Sequence, residues 1–523
     1  MRISCCQLRP TLGDIEGNVD RAIDAIHGLD ASVICFSELF LIGYPPTDEW
    51  LRNHPKKRID NAISKLKKAS EGRDSLIVMG TPFWTDDGWK NAAIAISNGL
   101  ILHRYFKCCL PNYDVFNDSR YFAPGDTVAG FEWQEKTIAL LICEDIWASD
   151  RPYGIDPVRQ LNGMGVDLIV HIAASPYEQG KMAARQQRLM RVVNETGATV
   201  ASVNQVGGFA DIIFDGQSMV MEPNGEFARY PAFKECMVDT IEPAEPCLPL
   251  QELTMAIVYG IREYVTRTNG PGGEVLLGIS GGIDSAVVAA LAVRALGCDR
   301  VTLVALPTKY NGEDTKADAK ELARRLGAHY INCPIENLRV ALDTHLNDHV
   351  GPPSELTKQN LQARLRGLML MALSNQQGAL LLTTGNKSEL AMGYATLYGD
   401  MCGALNPIGD VFKTDVVALA NHINDNTNWI PHRIIDRAPS AELAYNQHDE
   451  DTLPPYPILD AILNQVMIHN ATDYELYKMN DKSDVDFVLN RLKINEFKRF
   501  QSPPIIKVSG QSFGRGWQHP LIR

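Results

Sequence analysis

The sequence predicts an α/β protein of two domains, and three observations carry that expectation. Short β-rich runs alternate with helical ones along most of the chain. A glycine-rich turn at residues 278–285 joins an apolar strand to a helix. Pro243, Pro246 and Pro249 interrupt any regular element between Ile241 and Leu250 and place a boundary there.

In the first half, strands are expected over Arg2 to Leu8, Ala31 to Phe36, Ser75 to Gly80, Ala92 to Ser97, Thr137 to Cys143, Val166 to Ala173 and Ala198 to Val203. Beyond the prolines, the stripe Leu253, Ile257, Ile261, Val265 predicts a helix stopped by Gly270-Pro271-Gly272-Gly273. Strands Val275 to Ile279, Val301 to Leu306, Tyr330 to Cys333 and Ala379 to Thr384 then alternate with helices starting at Asp284 and spanning Thr315 to Leu326. That order predicts an open parallel sheet, with ligands at the carboxyl ends of its strands.

At 523 residues the chain exceeds a single core, and 45% hydrophobic content supplies more than one. A net charge of -13 speaks against nucleic acid or anionic lipid as the main partner. No secretory leader and no apolar run of the ~18 residues that span a bilayer are read from the sequence. The 11 cysteines are scattered and form no C-x-x-C pair, which fits a reduced, cytoplasmic protein.

The turn reads Gly278-Ile279-Ser280-Gly281-Gly282-Ile283-Asp284-Ser285. Small residues let backbone N–H groups approach an anion, and the following helix points its positive end at the same place. Lacking the lysine of the common NTPase loop, it resembles the S-G-G-x-D-S loop of the ATP pyrophosphatases. That family attacks the α-phosphate of ATP and releases pyrophosphate. Segments further on resemble the NAD synthetases: Gln359 to Gly367, Thr384-Gly385-Asn386-Lys387-Ser388-Glu389-Leu390, Tyr398-Gly399-Asp400, Gly409 to Thr414, Arg437 to Leu443 and Asp449 to Tyr456. The resemblance implies ATP at the loop and at Thr384, Mg²⁺ on Asp284 and Glu389, and deamido-NAD or phosphates on Asn360, Glu389, Asp400, Lys413 and Lys498. One stretch, Thr308 to Asp314, departs from the Ser-rich text expected after Leu306-Pro307.

In the first half, Glu38, Lys107 and Cys143 stand in segments that resemble the nitrilase, or carbon-nitrogen hydrolase, superfamily. A cysteine after Leu141-Ile142 is by itself an ordinary buried side chain. The stretch Phe116 to Gly125 and Ala174-Ser175-Pro176-Tyr177 followed by Lys181 resemble the glutaminase domain fused to NAD synthetases. Cys143 is then the nucleophile, Glu38 the proton carrier, and Lys107 the oxyanion stabiliser and the cation that favours the thiolate. Tyr113, Ser175 and Lys181 are the implied L-glutamine contacts, with Tyr44 and Glu144 as further candidates. Phe209-Ala210-Asp211 stands where a more polar stretch is expected.

The resemblance therefore implies an α-β-β-α nitrilase-like sandwich over 1–245 and a Rossmann-like, open parallel-sheet ATP pyrophosphatase domain over 246–523. It implies an enzyme that amidates deamido-NAD with ammonia drawn from glutamine through an internal channel, and a homo-oligomer. The alternative is an ammonia-dependent synthetase whose first half is a non-catalytic module. Asparagine synthetase would need a cysteine after Met1, where Arg2 stands, and GMP synthetase a Cys, His, Glu glutaminase.

Overall fold

The computed structural model describes residues 1–237, 247–445 and 447–521. Two compact units emerge, Met1–Phe209 with Ile213–Cys247, and Ala210–Ile212 with Leu248–Arg523. Most of the expected proline-rich boundary, Ile241 to Pro246, lies outside the described residues, as does the division at 245/246. Pro249 opens the helix Pro249–Asn269, where a missing N–H is harmless.

Two large sheets build the core of the first unit. One runs in order Ile3–Cys6, Val33–Phe36, Leu76–Thr85, Gly88–Ser97, Leu100–Phe106, the first three strands parallel and the rest antiparallel. Asn98 and Gly99, both at positive φ, make the tight turn into its last strand. The other runs Phe227–Arg229, Met219–Met221, Thr199–Asn204, Leu168–Ala173, Lys136–Ile142, Gly130–Trp133. One hydrophobic core joins the sheets, with Cys5, Cys35, Val78 and Ala95 from the first and Ile138, Leu140, Val170 and Val200 from the second. The amphipathic helices Ile15–Gly28 and Pro55–Ala69 pack outside the first sheet, and Pro157–Leu161 and Lys181–Thr196 outside the second. This is an α-β-β-α sandwich.

A four-stranded parallel sheet centres the second unit, in order His329–Asn332, Val301–Ala305, Val275–Gly278, Leu380–Leu382. Chain order reverses between its last two strands, which makes the carboxyl end of Val275–Gly278 the crevice where ligands bind in such sheets. Helix Ile283–Leu296 is buried on nearly every side, as its Ala- and Val-rich text requires. Helices Lys387–Met392, Tyr456–Met467, Asp473–Met479 and Lys482–Ile494 share a second core around Leu459, Leu463 and Val488. None of the 11 cysteines is in a disulfide.

Candidate active sites

Cys143 directly follows the strand Lys136–Ile142 and begins a 3-10 helix, Cys143–Asp150, with φ at +42°. Left-handed backbone at a non-glycine residue is strained and is held only by its surroundings. Asp145 supplies part of that hold. Its carboxylate accepts the N–H of Ile142 at 2.9 Å, those of Cys108 and Cys109 at 3.1 and 2.9 Å, and the Tyr105 hydroxyl at 2.8 Å. The turn is thereby tied to the segment that follows Lys107.

Lys107 is wholly buried, and its Nζ lies 2.7 Å from Glu38 Oε1 and 2.7 Å from Asp118 Oδ2. Glu38 also accepts Asn91 Nδ2 at 2.8 Å and the Ala174 N–H at 3.1 Å. Tyr44 donates to the far oxygen of Asp118 at 2.8 Å. Gly80 lets a strand press on the Glu38 loop, since a Cβ there would sit 2.1 Å from the Ser37 carbonyl oxygen. Burial opposes the charge of Lys107, but Asp118 and Glu38 hold its ammonium well above the usual range. Burial raises the Glu38 carboxyl, Lys107 pulls it down, and Asp118 pushes it up again.

Cys143 departs from expectation. Burial, then Glu38, push its thiol well up, and Lys107 and a hydrogen bond from the Ala174 N–H only partly offset them. The lysine's charge is already shared by two carboxylates, so Cys143 rests as a neutral thiol.

Tyr113 donates to Glu144 at 3.0 Å and lies under the Arg151 guanidinium, 3.4 Å from its ring centroid. Tyr153 reaches the same carboxylate at 2.7 Å. Ser175 donates its N–H to Asn204 at 2.8 Å and lines a small cavity with Cys143, Trp147 and His171. Lys181 packs its ammonium over Trp147 at 5.0 Å and pairs with Glu178 at 3.1 Å. Val206–Phe209 and Ile212–Asp215 form a two-stranded hairpin, with Ala210 at φ +54° in its turn. The apolar departure at Phe209-Ala210-Asp211 is thus a hairpin tip.

In the second unit, Gly281 has φ +82°, and a Cβ there would lie 2.4 Å from the Thr315 carbonyl oxygen, so glycine alone fits. Ser280 Oγ accepts the Gly282 N–H at 3.1 Å, and Ser285 Oγ donates to the Gly282 carbonyl at 3.0 Å. Arg437, held by the buried Asp318, donates to the Gly281 carbonyl at 3.0 Å. Asp284 pairs tightly with Lys413 and accepts Asn386 Nδ2 at 2.9 Å. Glu389 Oε1 stands 3.9 Å from the same ammonium. Burial and then the Asp284 charge push the Glu389 carboxyl well up. Burial opposes the charge of Lys413, but Asp284 and Glu389 raise it.

The five candidate dinucleotide contacts fall into two groups. Glu389 and Lys413 gather at Asp284, whereas Asn360, Asp400 and Lys498 hold one loop. Lys498 donates to the carbonyls of Gly393 and Ala395 at 2.7 Å each, Asp400 accepts the Thr396 N–H at 2.6 Å, and Asn360 accepts the Thr396 hydroxyl at 2.9 Å. Thr384 follows the strand Leu380–Leu382, half-buried. The departure at Thr308 is built in: its hydroxyl donates to Gln362 at 3.1 Å, and Asn311 donates to Glu442 at 2.9 Å.

Residues 2–242 match the carbon-nitrogen hydrolase family and residues 253–502 the NAD synthase family. A glutamine-dependent NAD(+) synthetase of Acinetobacter baylyi is 38% identical over 541 aligned residues, spanning 100% of this chain and 98% of its own. The chain belongs to the glutamine-dependent NAD(+) synthetase family. The synthetase of that name from Thermotoga maritima is 36% identical, with 100% and 98% covered. The solved structure of the Acinetobacter baumannii synthetase in complex with adenosine diphosphate is similar at 36% identity and a TM-score of 0.79, covering 99% of this chain and 98% of that one. The Cytophaga hutchinsonii synthetase shares the fold at a TM-score of 0.83 and 21% identity, with 100% and 98% covered.

Within this synthetase fold, sequence reasoning missed Asp118, Asn91 and His171 in the first unit and Arg437 and Asp449 in the second. His171 left a signal as the polar intruder in the apolar run Leu168 to Ala173. Asp449 is buried, accepts the Tyr456 hydroxyl at 2.9 Å, and its charge reaches Glu389 and Lys413.

Proposed function

We propose that the protein is a glutamine-hydrolysing NAD synthetase, a carbon-nitrogen ligase that converts deamido-NAD, ATP and glutamine to NAD, AMP, pyrophosphate and glutamate. One observation carries the glutaminase half: a wholly buried Glu38–Lys107 pair whose charges are felt by a cysteine on a strained turn. Glu38 takes the Cys143 proton as sulfur attacks the amide carbon, and returns it to the departing ammonia. An ammonium group has three donors, and two go to Glu38 and Asp118, which leaves the third for the tetrahedral oxyanion. Water then cleaves the thioester. Tyr113, Ser175 and Lys181 are assigned to glutamine.

In the second unit, residues 278–285 cradle the ATP phosphates at the start of helix Ile283–Leu296, with Thr384 beside them. Asp284 and Glu389 offer the oxygen donors magnesium takes, and magnesium bound with ATP offsets charge on the phosphates. Lys413 adds a fixed positive charge there for the leaving pyrophosphate. Asn360, Asp400 and Lys498, grouped on the 393–400 loop, are assigned to deamido-NAD. Adenylation is needed because a carboxylate is a poor electrophile for ammonia.

The intact buried triad speaks against the alternative of a non-catalytic first half. The test is NAD formation from deamido-NAD and Mg-ATP with glutamine or with ammonium, in the unsubstituted chain and in Cys143→Ala. Loss of the glutamine-driven reaction alone supports the reading; no NAD from either source overturns it.

A homo-oligomer in the cytoplasm completes the proposal. Helices Glu336–His349 and Glu355–Gln377 pack together and leave Leu338, Val340, Leu356 and Leu368 open to solvent. Among the described residues no helix is long and apolar enough to cross a membrane. A monomer by light scattering would overturn the oligomer.

A further inference from the structure

His171 lies buried in the strand Leu168–Ala173, and both of its ring nitrogens are engaged. Nε2 stands 3.2 Å from the Cys143 carbonyl oxygen and Nδ1 2.8 Å from Ser202 Oγ. A carbonyl can only accept, so Nε2 carries the proton, and in the neutral ring that burial favours Nδ1 accepts from the serine hydroxyl. The ring is thereby held as one neutral tautomer against the nucleophile's own peptide unit. That peptide is planar and trans, so the Glu144 N–H runs antiparallel to the Cys143 carbonyl and faces away from His171. As an early N–H of the 3-10 helix Cys143–Asp150, it has no intrahelical acceptor.

We propose that His171 is a positioning residue for glutamine hydrolysis: by holding the Cys143 carbonyl it fixes the strained turn and aims the Glu144 N–H at the oxyanion formed when the thiol attacks. This rests on the glutaminase reading above. A hydroxyl, an imidazole and a carbonyl in series supply the orientation that a left-handed cysteine cannot supply for itself.

The test compares two amides at position 171 in the full chain. His171→Gln places an N–H within reach of the Cys143 carbonyl, as Nε2 does. His171→Asn keeps a polar side chain but stops at the level of Nδ1. Glutamine hydrolysis is measured for kcat and KM, together with ammonium-driven NAD formation and melting temperature. Removing one oxyanion donor costs about 10²–10³ in kcat, so a misaimed one is expected to cost about 30-fold in His171→Asn. KM for glutamine and the ammonium-driven rate should stay within about threefold, and His171→Gln should retain kcat to within about fivefold.

A folded His171→Asn that keeps its kcat, or loses only KM, overturns the proposal. So does a folded His171→Gln whose kcat has fallen as far as that of His171→Asn. If His171→Asn does not fold, His171→Gln decides alone, and a tenfold or greater fall in its kcat is the overturning result. An unsubstituted chain that releases no glutamate from glutamine overturns the glutaminase reading and this inference together.

Discussion

The ammonium of Lys107 stands 2.7 Å from Oε1 of Glu38, and neither side chain reaches solvent. With Asp118 on the other side, one positive charge faces two negative ones. That balance explains why Cys143 rests as a thiol: the lysine is committed to carboxylates before it can favour a thiolate. In the proposed glutaminase reaction the proton then has to leave the sulfur during attack, with Glu38 as its proposed acceptor.

Glu38→Gln tests that transfer. An amide oxygen can still accept from Lys107, so the fold and ammonium-driven NAD formation should survive. A general base contributes about 10²–10⁴ to the rate, and glutamine hydrolysis should fall by roughly 10³-fold. A loss below tenfold in a folded variant would show that Glu38 is not the base. Lys107→Met should be harsher, because two buried carboxylates lose their counter-charge, a change that costs about 3–5 kcal/mol. It should lower the melting temperature as well as activity.

Asp118 adds to the forces that fix the ionisation of Glu38, the proposed base. Burial raises the Glu38 carboxyl above its ordinary 4.5, and the Asp118 charge adds to the rise. Glu38 must be ionised to accept a proton, so hydrolysis is lost as pH falls through its raised value. Asp118→Asn removes a negative neighbour, lowers the Glu38 carboxyl, and should move the acid limb of kcat/KM for glutamine to lower pH. A limb that stays put or moves upward counts against this coupling.

Much of the fold could be read from the chain because its strands are apolar runs closed by polar turns. Leu100–Phe106 escaped that reading because Leu100 and Leu102 face outward, which inverts the usual alternation. Cys143 was legible as the end of an apolar strand, and the phosphate loop as a glycine cluster between strand and helix. Glu38 and Lys107 are 69 residues apart and carry no local sign of pairing; only resemblance joined them. Asp118 and Asn91 were hidden for the same reason, since they meet Glu38 and Lys107 through sheet registry and loop closure. The division of the candidate dinucleotide contacts between Asp284 and the 393–400 loop is likewise a matter of tertiary placement.

Lys413 links Asp284, in the proposed phosphate loop, to Glu389. Lys413→Met leaves Asp284, Glu389 and the nearby Asp449 without their shared cation. NAD formation should fall by about 10²-fold or more with glutamine and with ammonium alike, since charge stabilisation on leaving phosphates is lost. Alkylation of Cys143 by iodoacetamide should proceed at the unsubstituted rate. A variant that loses only the glutamine-driven reaction would place Lys413 outside ATP chemistry.

His171 predicts how the glutaminase unit responds to acid. Burial, with Lys107 and Arg185 nearby, lowers its imidazole to about 4 from an ordinary 6.5, against the hydrogen bond to the Cys143 carbonyl. In the unfolded chain this ring takes a proton below 6.5, whereas in the fold it stays neutral down to about 4. Between those values the unfolded state binds more protons, so stability falls as pH falls. The full shift corresponds to about 3 kcal/mol at 1.36 kcal/mol per unit. It is present in full above pH 6.5 and gone below about 4. His171→Gln has no proton to take up, so its unfolding midpoint in urea should vary less with pH across that window than the unsubstituted chain's. The difference is to be followed by near-ultraviolet circular dichroism at several pH values. Equal pH slopes for the two proteins would mean that His171 is already charged in the fold, and that its Nδ1 donates to Ser202 instead of accepting from it.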